Sequence, residues 1–233
     1  MYQKIDIDHG LQVMRDFFNY LSQRDLLPED FPTDAVLEGL ELVMRFNLFQ
    51  FGNANFIQLI GTAMGTSVAV VYANLYAGWH EITSILPRFQ DQLKRLPYLF
   101  RFVDDLWGIW IGPTDHEWQE FKDTLSNHGL LKWDVSEPSY SVDYLDLTII
   151  LKNGCITTKT YQKAMNLYLY IPPHSAHPPG MIKGMVYGLL RRYYEQNSGR
   201  EDFLHIMSLL YKRLIWRGWD QEFLKKLFLS SYE

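Results

Sequence analysis

The sequence is organised around the stretch YLFRFVDDLWGIWIG, residues 98–112. Two runs rich in aromatic and β-branched residues flank a pair of adjacent acids, Asp104 and Asp105. Such runs favour strands and Asp favours turns, so the stretch predicts a hairpin with two carboxylates at its tip. Adjacent carboxylates repel each other unless a cation lies beside them, and Mg²⁺ prefers carboxylate oxygens. A plain solvated turn is the alternative interpretation of this stretch taken alone.

The composition of the 233 residues indicates a folded protein. Hydrophobic residues make up 47% of the chain and aromatic residues 15%, which is enough for a substantial core. The single cysteine, Cys155, excludes an internal disulfide and suits a reducing compartment. No secretory signal is visible, so we expect an intracellular protein, with the nucleus left open as its compartment.

The charge of the chain is unevenly distributed. Residues 1–150 carry 10 basic and 21 acidic side chains, whereas residues 151–233 carry 12 basic and 6 acidic ones. The excess of basic residues in 151–233 predicts a surface that binds the phosphate backbone of a nucleic acid. Two ordinary solvated surfaces are the alternative.

Residues 57–79 contain no charged side chain. Polar residues interrupt this segment, so we expect a buried loop followed by a helix and not a membrane span. The loop is GTAMG, Gly61 to Gly65. The helix carries small residues at a spacing of four, which allows close approach of another backbone or a substrate: Ala69, Ala73 and Ala77.

Sequence patterns along the rest of the chain predict helices, hairpins and a helical C-terminal lobe. The predicted helix caps are Asp8, Asp34, Thr114 and Asp202. The predicted hairpin turns are Gly52-Asn53 and Asn153-Gly154, and further strands are predicted at 130–135, 144–151 and 155–161. His174 and His177 lack a cysteine partner for zinc, so a zinc site is not expected. The order of elements predicts an α+β fold, with an antiparallel sheet packed on helices.

Several stretches, taken in chain order, resemble the reverse transcriptases of Penelope-like retroelements. Residues 57–76, IQLIGTAMGTSVAVVYANLY, are similar to that family's motif B, and residues 99–110, LFRFVDDLWGIW, are similar to motif C. Residues 144–163 resemble the stretch after motif D. SAHP at 175–178 and LLRRY at 189–193 resemble the beginning of the thumb. The first residues, MYQKIDIDHGL, resemble the segment just downstream of motif A.

This resemblance implies a right-hand polymerase palm. Residues 1–163 would form part of the fingers and the palm, and residues 164–233 a helical thumb-like region. The implied activity is that of an RNA-directed DNA polymerase, in which a primer 3′-hydroxyl attacks the α-phosphate of a deoxynucleotide. The implied partners are primer–template nucleic acid and deoxynucleotides, and the implied cofactors are two Mg²⁺ ions, or Mn²⁺ in their place.

The resemblance also assigns roles to individual residues. Asp104 would be the essential metal ligand, Asp105 its weaker partner, and Phe102 would pack near the primer end. The segment Gly61–Gly65, with Met64, would form the floor beneath the nascent base pair. The remaining contacts to template, nucleotide or phosphate would come from Gln58, Thr62, Lys163, Arg191 and Arg192. For the last three, a solvated surface role is an equal alternative.

The chain departs from the family pattern in one respect. The motif A aspartate, which the family places just before the segment that Met1–Leu11 resembles, is absent, and Asp6 and Asp8 are the local substitutes. Helix capping explains Asp8 more simply, so we expect this chain to be weak or inactive by itself. Two other classes stay open: a non-catalytic nucleic-acid-binding module, and an unrelated α+β domain without affinity for Mg²⁺ or duplex.

Overall fold

The structure, a computed structural model, describes residues 2–62, 65–178 and 180–230. It is a mixed α+β protein with small antiparallel sheets. The helices are α1 (Ile7–Ser22), α2 (Thr33–Arg45), α3 (Ala69–His80), α4 (Leu86–Phe89), α5 (His116–Leu125), α6 (Met181–Gln196), α7 (Arg200–Trp216) and α8 (Gln221–Leu229). The strands are β1 (Leu48–Phe51), β2 (Ala54–Ile57), β3 (Tyr98–Phe102), β4 (Asp105–Ile109), β5 (Ser141–Tyr144), β6 (Leu147–Lys152) and β7 (Cys155–Thr160).

The chain divides into two compact units, Met1–Pro138 and Ser139–Glu233. The boundary predicted from the sequence, between residues 163 and 164, separates a palm-like from a thumb-like region. It is a functional division and not a division into compact units, so it stays a prediction. Among the residues that the structure describes, no helix combines the length and the apolar character needed to cross a membrane. Cys155 is exposed and is a free thiol.

Helices α1, α2 and α3 form one core of the first unit. Their apolar positions recur at helical spacing and are buried together, as in Met14 of α1, Leu37 of α2 and Tyr76 of α3. The predicted alanine stripe is confirmed, since Ala69, Ala73 and Ala77 are all buried. Gly10 of α1 allows close approach, because a Cβ there would lie 1.6 Å from the hydroxyl oxygen of Tyr72 on α3.

A second core of the first unit lies between α4, α5 and the β3–β4 hairpin. Its buried members include Phe89 of α4 and Trp118 and Phe121 of α5, and Leu99 and Leu106 of the hairpin pack against it. A π-helical segment, Glu81–Ile85, joins α3 to α4. The hairpin is therefore held on its apolar face by this core.

The second unit combines a three-stranded sheet with three helices. Its strands pair in the order β5-β6-β7, all antiparallel. The predicted turn between β6 and β7 is confirmed: Asn153 and Gly154 have φ of 52° and 74°, the left-handed values that a tight hairpin turn requires. Buried residues of α6, α7 and α8, such as Val186, Leu210 and Leu224, form the core of this unit.

The remaining hairpin predictions are confirmed. The strands β1 and β2 pair across Gly52-Asn53, with Phe51 opposite Ala54. The strands β3 and β4 also pair as predicted. In the part of the chain that the structure describes, strands form three separate sheets of two, two and three strands.

Several local predictions were wrong. The N-cap of α1 is Asp6 and not Asp8, and that of α5 is Asp115 and not Thr114. Asp34 and Asp202 lie inside the first turns of α2 and α7, where an acid still interacts favourably with the helix N-terminus. Several acids close to a helix start compete for one cap, and only the local backbone selects among them.

Two strand predictions also needed correction. Residues 130–135 form no strand. The apolar side chains of Trp133 and Val135 instead pack against the core formed by α4 and α5. Within the predicted strand 144–151, residues 147–151 do form a strand as part of β6, whereas Leu145-Asp146 is a turn and Tyr144 is the last residue of β5. For residues 130–135, burial of apolar side chains accounts for the sequence pattern without a strand.

Candidate active site

The two acids lie at the tip of the β3–β4 hairpin, as the sequence predicted. Phe102 pairs with Asp105, so the turn consists of Val103 and Asp104. Both aspartates are exposed. Val103 has a φ of 56°, a conformation that β-branched residues rarely adopt and that costs about 1–2 kcal/mol. Surrounding contacts must therefore hold this turn in place.

Arg101 supplies such contacts. Its Nη1 donates to the backbone oxygen of Val103 at 3.0 Å and to Oδ1 of Asn74 at 2.7 Å. Its Nη2 donates to the backbone oxygen of Asn74 at 3.0 Å, and its Nε donates to Oε1 of Glu81 at 2.5 Å. The side chains of Arg101 and Glu81 are only 10% and 20% exposed. The guanidinium thus ties the turn to α3 and to the π-helical segment after it.

The face of the hairpin opposite its core is aromatic. Tyr98, Phe100 and Phe102 are 54%, 54% and 60% exposed. The ring centroids of Phe100 and Trp107 lie 5.7 Å apart in a stacked arrangement. Exposed aromatic rings on a strand are a surface against which nucleic-acid bases can stack. Phe102, the predicted neighbour of a primer end, lies at the acidic end of this surface.

The glycine segment lies directly before α3. Gly61 is buried, and its backbone N–H donates to the backbone oxygen of Ile5 at 2.9 Å. Gly65 has a φ of 103°, and a Cβ there would meet no atom of the described residues within 4 Å. The positive φ of Gly65 is a conformation that favours glycine. The space beside its backbone would allow a binding partner to approach closely. Met64 and Ala63, which the sequence analysis included, lie outside the described residues.

Two weaker candidates beside this segment have structural neighbours. Thr62 is 2% exposed, and its hydroxyl has no hydrogen-bond partner among the described residues. Gln58 accepts from Nδ2 of Asn47 at 3.0 Å and donates to the backbone oxygen of Ile60 at 2.9 Å. These contacts engage the amide of Gln58 at the base of the β1–β2 hairpin. Contacts of Gln58 and Thr62 with template or nucleotide stay predictions.

The predicted phosphate contacts all lie in the second unit. Lys163 and Arg192 line one cleft, whereas Arg191 does not. Arg192 is ion-paired with Asp146, and Arg191 is ion-paired with Glu195 one turn along the same helix. The structure therefore distinguishes two neighbouring arginines that the sequence treated alike.

The donor set at the hairpin tip suits a hard divalent cation. Asp104 and Asp105 are exposed carboxylates, and Mg²⁺ is commonly bound in proteins through one or two carboxylates together with water and phosphate oxygens. Among the residues that the structure describes, no group of three or more His, Cys, Asp or Glu side chains is arranged to hold a metal ion. Asp6 accepts a hydrogen bond from the N–H of His9, and Asp8 is ion-paired with Arg45. Both acids thus have partners near the start of α1.

Helix α3 also carries one side of a buried histidine and tyrosine cluster. The hydroxyl of Tyr76 lies 2.7 Å from Nδ1 of His9, and the rings of His80 and His128 stack with centroids 4.6 Å apart. Burial lowers the pKa of His128 to about 4, and the neighbouring His80 adds to the shift. Burial also raises the pKa of Tyr76 to about 12. His128 and Tyr76 are therefore neutral at physiological pH, and both are buried.

Sequence reasoning missed the residues that position the turn. Arg101, Asn74 and Glu81 are far apart in sequence, and their contacts depend on the packing of β3 against α3. One signal was present, since Arg101 is a lone cation among the aromatic residues of β3. A charge in such a strand requires a partner when it is buried.

Comparisons with protein-family models, with curated proteins and with solved structures found no match to this chain. The resemblance to a known family therefore depends on the sequence motifs and their order alone.

Proposed function

We propose that this chain is a reverse transcriptase domain fragment of the Penelope-like kind, an RNA-directed DNA polymerase whose acidic hairpin takes part in two-metal nucleotidyl transfer. The motifs support this proposal by their order along the chain. The observation that carries it is the contact of Arg101 with Asn74, which joins the Asp104 turn to the helix that follows the glycine segment. The two motifs of the resemblance are thus linked by direct hydrogen bonds.

Each residue of the proposed site has a physical task. Asp104 and Asp105 supply carboxylate oxygens, and Arg101 fixes the turn that aims them. Phe102 offers an exposed ring at the acidic end of the hairpin, and Gly65 leaves its backbone open. When bound, Mg²⁺ neutralises the charge that develops on the transferred phosphoryl group. The chain's own contribution is to fix the turn that carries the two carboxylates, next to an exposed aromatic surface.

We also propose that full activity requires a further carboxylate from outside the described residues. Asp6 is engaged as a helix cap and Asp8 as an ion-pair partner, so moving either would cost its present contact. Productive metal geometry tolerates little displacement, which argues against either acid as a substitute. This chain alone is therefore expected to extend a primer weakly or not at all.

Primer extension tests the completeness of the site. The chain is incubated with Mg²⁺, deoxynucleotides and a primer annealed to an RNA or a DNA template, alongside Asp104→Ala. Robust synthesis by the unmodified chain would refute the need for a further carboxylate. Loss of that synthesis in the Asp104→Ala variant would at the same time support the assignment of Asp104.

Metal binding tests the hairpin even if the chain is inactive. Electron paramagnetic resonance measures free Mn²⁺ as the chain is added, with and without a deoxynucleotide. We expect Asp104→Asn to weaken Mn²⁺ binding, and Asp134→Asn, an exposed acid of the same unit, to leave it unchanged. Equal binding by the two variants would contradict a metal-binding role for the hairpin.

A non-catalytic nucleic-acid-binding module is the second candidate. The observation that favours it is the charge of the second unit, which carries 12 basic and 8 acidic residues. It predicts salt-dependent binding to a primer–template duplex. Binding that survives Asp104→Ala, together with an absence of Mn²⁺ binding, would favour this module over the polymerase.

A further inference from the structure

We propose that the second unit contains a separate binding site, a cleft that takes one nucleotide through its phosphate and its base. The cleft has a volume of about 360 Å³ and lies beside the end of β7, the loop that follows it and helix α6. Its lining includes Tyr161, Lys163, Tyr168, Tyr170, Arg192 and Tyr193. That volume suits a single small ligand.

Cationic side chains surround the cleft. Lys163 and Arg192 line it, and Asp146, which lines it as well, is the acid paired with Arg192. The two members of that pair are 52% and 58% exposed, so the pair is weak and an incoming anion can compete with it. Arg213 adds a third positive charge, because it contacts two residues that line the cleft. Three cations against one acid suit the double negative charge of a phosphate monoester.

Arg213 has an unused donor beside the cleft. Its Nη2 donates to Oε1 of Gln162 at 2.6 Å, and its guanidinium carbon lies 3.9 Å from the ring centroid of Tyr168. Its Nη1 is buried and has no hydrogen-bond partner among the described residues. A buried donor without a partner is costly. Because Arg213 does not line the cleft and Nη1 is buried, Arg213 contributes a nearby positive charge to the cleft and not a direct contact. The guanidinium is thus held in place by its hydrogen bond to Gln162 and its contact with the ring of Tyr168.

The other side chains of the cleft suit a nucleobase. Four tyrosines line it, and three of them, Tyr161, Tyr168 and Tyr170, are half-buried and keep part of their rings accessible for stacking. The fourth, Tyr193, is buried and belongs to the core of the unit. The hydroxyl oxygens of Tyr170 and Tyr193 lie 3.4 Å apart, and the amides of Gln162 and Asn166 can bond to base edges. A duplex keeps its bases stacked inside, so tyrosine rings in a cleft of this size favour an unstacked nucleotide.

The loop that carries these residues is fixed by its own hydrogen bonds. The N–H of Asn166 donates to the backbone oxygen of Lys163 at 3.0 Å. The N–H of Tyr168 donates to Oδ1 of Asn166 at 3.0 Å. The N–H of Tyr170 donates to the backbone oxygen of Tyr168, also at 3.0 Å. Because the loop is already ordered, a ligand need not pay for ordering it on binding.

The shared chemistry of the ligand is a phosphate monoester attached to a nucleoside. It has two sources, a free mononucleotide and the 5′-phosphorylated end of a strand. Both carry a phosphate dianion and an unstacked base on the same nucleotide. The site does not depend on the proposed polymerase function, since it involves no metal and no residue of the hairpin.

Calorimetric titration of the full chain with adenosine 5′-monophosphate tests the proposal. EDTA is present throughout, so metal binding at the hairpin cannot contribute. We expect saturation below about 1 mM, and binding of adenosine or of inorganic phosphate that is about tenfold weaker or worse. Matched oligonucleotides with and without a 5′-phosphate distinguish the two sources: preference for the phosphorylated strand identifies a strand end, and binding of the mononucleotide alone identifies a free nucleotide.

Three single variants locate the site. Lys163→Gln and Arg192→Gln should each weaken binding of adenosine 5′-monophosphate about tenfold or more. Arg191→Gln removes the same charge from the next residue, which lies outside the cleft, and should change binding less than about twofold. Circular dichroism and thermal unfolding confirm that each variant is folded.

Three results would overturn the proposal. One is the failure of adenosine 5′-monophosphate and of the 5′-phosphorylated strand to bind at about 1 mM. The second is an affinity for adenosine 5′-monophosphate that equals the affinity for adenosine or for inorganic phosphate. Equality with adenosine would exclude the phosphate contact, and equality with inorganic phosphate would exclude the base contact. The third is an equal loss in the Arg191→Gln and Arg192→Gln variants, which would reduce the effect to non-specific charge.

Discussion

Arg101 is the side chain on which the geometry of the acidic turn depends. It bonds to the carbonyl group just before Asp104, and it also contacts Asn74 and Glu81. Because Val103 is held in a left-handed conformation, the turn needs such an external contact to keep its shape. One nearly buried arginine therefore links local backbone strain to the position of both carboxylates.

Replacing Arg101 by Met is expected to destabilise the protein by about 3 kcal/mol, because Glu81 would keep a largely buried charge without its partner. Urea denaturation measures the change in the free energy of unfolding. Arg88→Met is the matched control, since the pair of Arg88 with Glu120 is more exposed and should cost about 0–1 kcal/mol. Similar losses in the two variants would contradict the structural role given to Arg101.

Stability is expected to fall as the pH is lowered from 6.5 to 5. The pKa of His128 is lowered to about 4 by burial, so the unfolded chain binds a proton at a higher pH than the folded chain does. Stability from this group is present above about pH 6.5 and is lost as pH falls towards 4, by up to about 2 kcal/mol at pH 5.

Urea midpoints measured at several pH values check this expectation for His128. His128→Gln should flatten the dependence, whereas His116→Gln, at an exposed position, should leave it unchanged. An identical pH dependence in the His128→Gln variant would show that other groups cause the loss.

At the scale of elements, the first unit is organised by the approach of α1 to α3. The contact is close because Gly10 faces Tyr72, and the alanines of α3 keep that helix narrow. Helix propensity alone favours alanine over glycine by about 1 kcal/mol. The close packing of α1 on α3, which glycine allows, offsets this loss of helix stability.

Two glycine-to-alanine substitutions separate packing from helix propensity. Gly10→Ala is expected to destabilise the protein by about 1–3 kcal/mol, because the new methyl group would overlap the hydroxyl of Tyr72. Gly39→Ala in α2, where a Cβ meets no atom within 4 Å, is expected to stabilise it by about 0.5–1 kcal/mol. Thermal unfolding should therefore shift in opposite directions, and shifts of the same sign would contradict the packing of α1 on α3.

At the scale of the whole molecule, the two units differ in charge. The first carries 10 basic and 19 acidic residues, and the second carries 12 basic and 8 acidic ones. Attraction to nucleic acid is therefore expected to come from the second unit.

Salt dependence of duplex binding tests this division. In the full chain, Arg191→Gln should reduce the slope of the logarithm of affinity against the logarithm of salt by about 1, as loss of one phosphate contact does. Lys94→Gln, an exposed cation of the first unit, should leave the slope unchanged. Fluorescence anisotropy at several salt concentrations measures both, and a larger effect of Lys94→Gln would reverse the assignment.

The sequence alone determined the elements whose formation depends on near neighbours. The acidic hairpin, the Asn153-Gly154 turn and the helix after the glycine segment all follow from propensities and periodicity within a few residues. The motif resemblance likewise is a property of the linear chain.

Only the tertiary structure decided the contacts between distant segments. It joined Arg101 to α3 and placed Arg192 in a cleft that excludes Arg191. The physical reason is that each of these contacts depends on several segments packing at once. These contacts stabilise the protein only once its core has formed, so no short stretch of sequence predicts them.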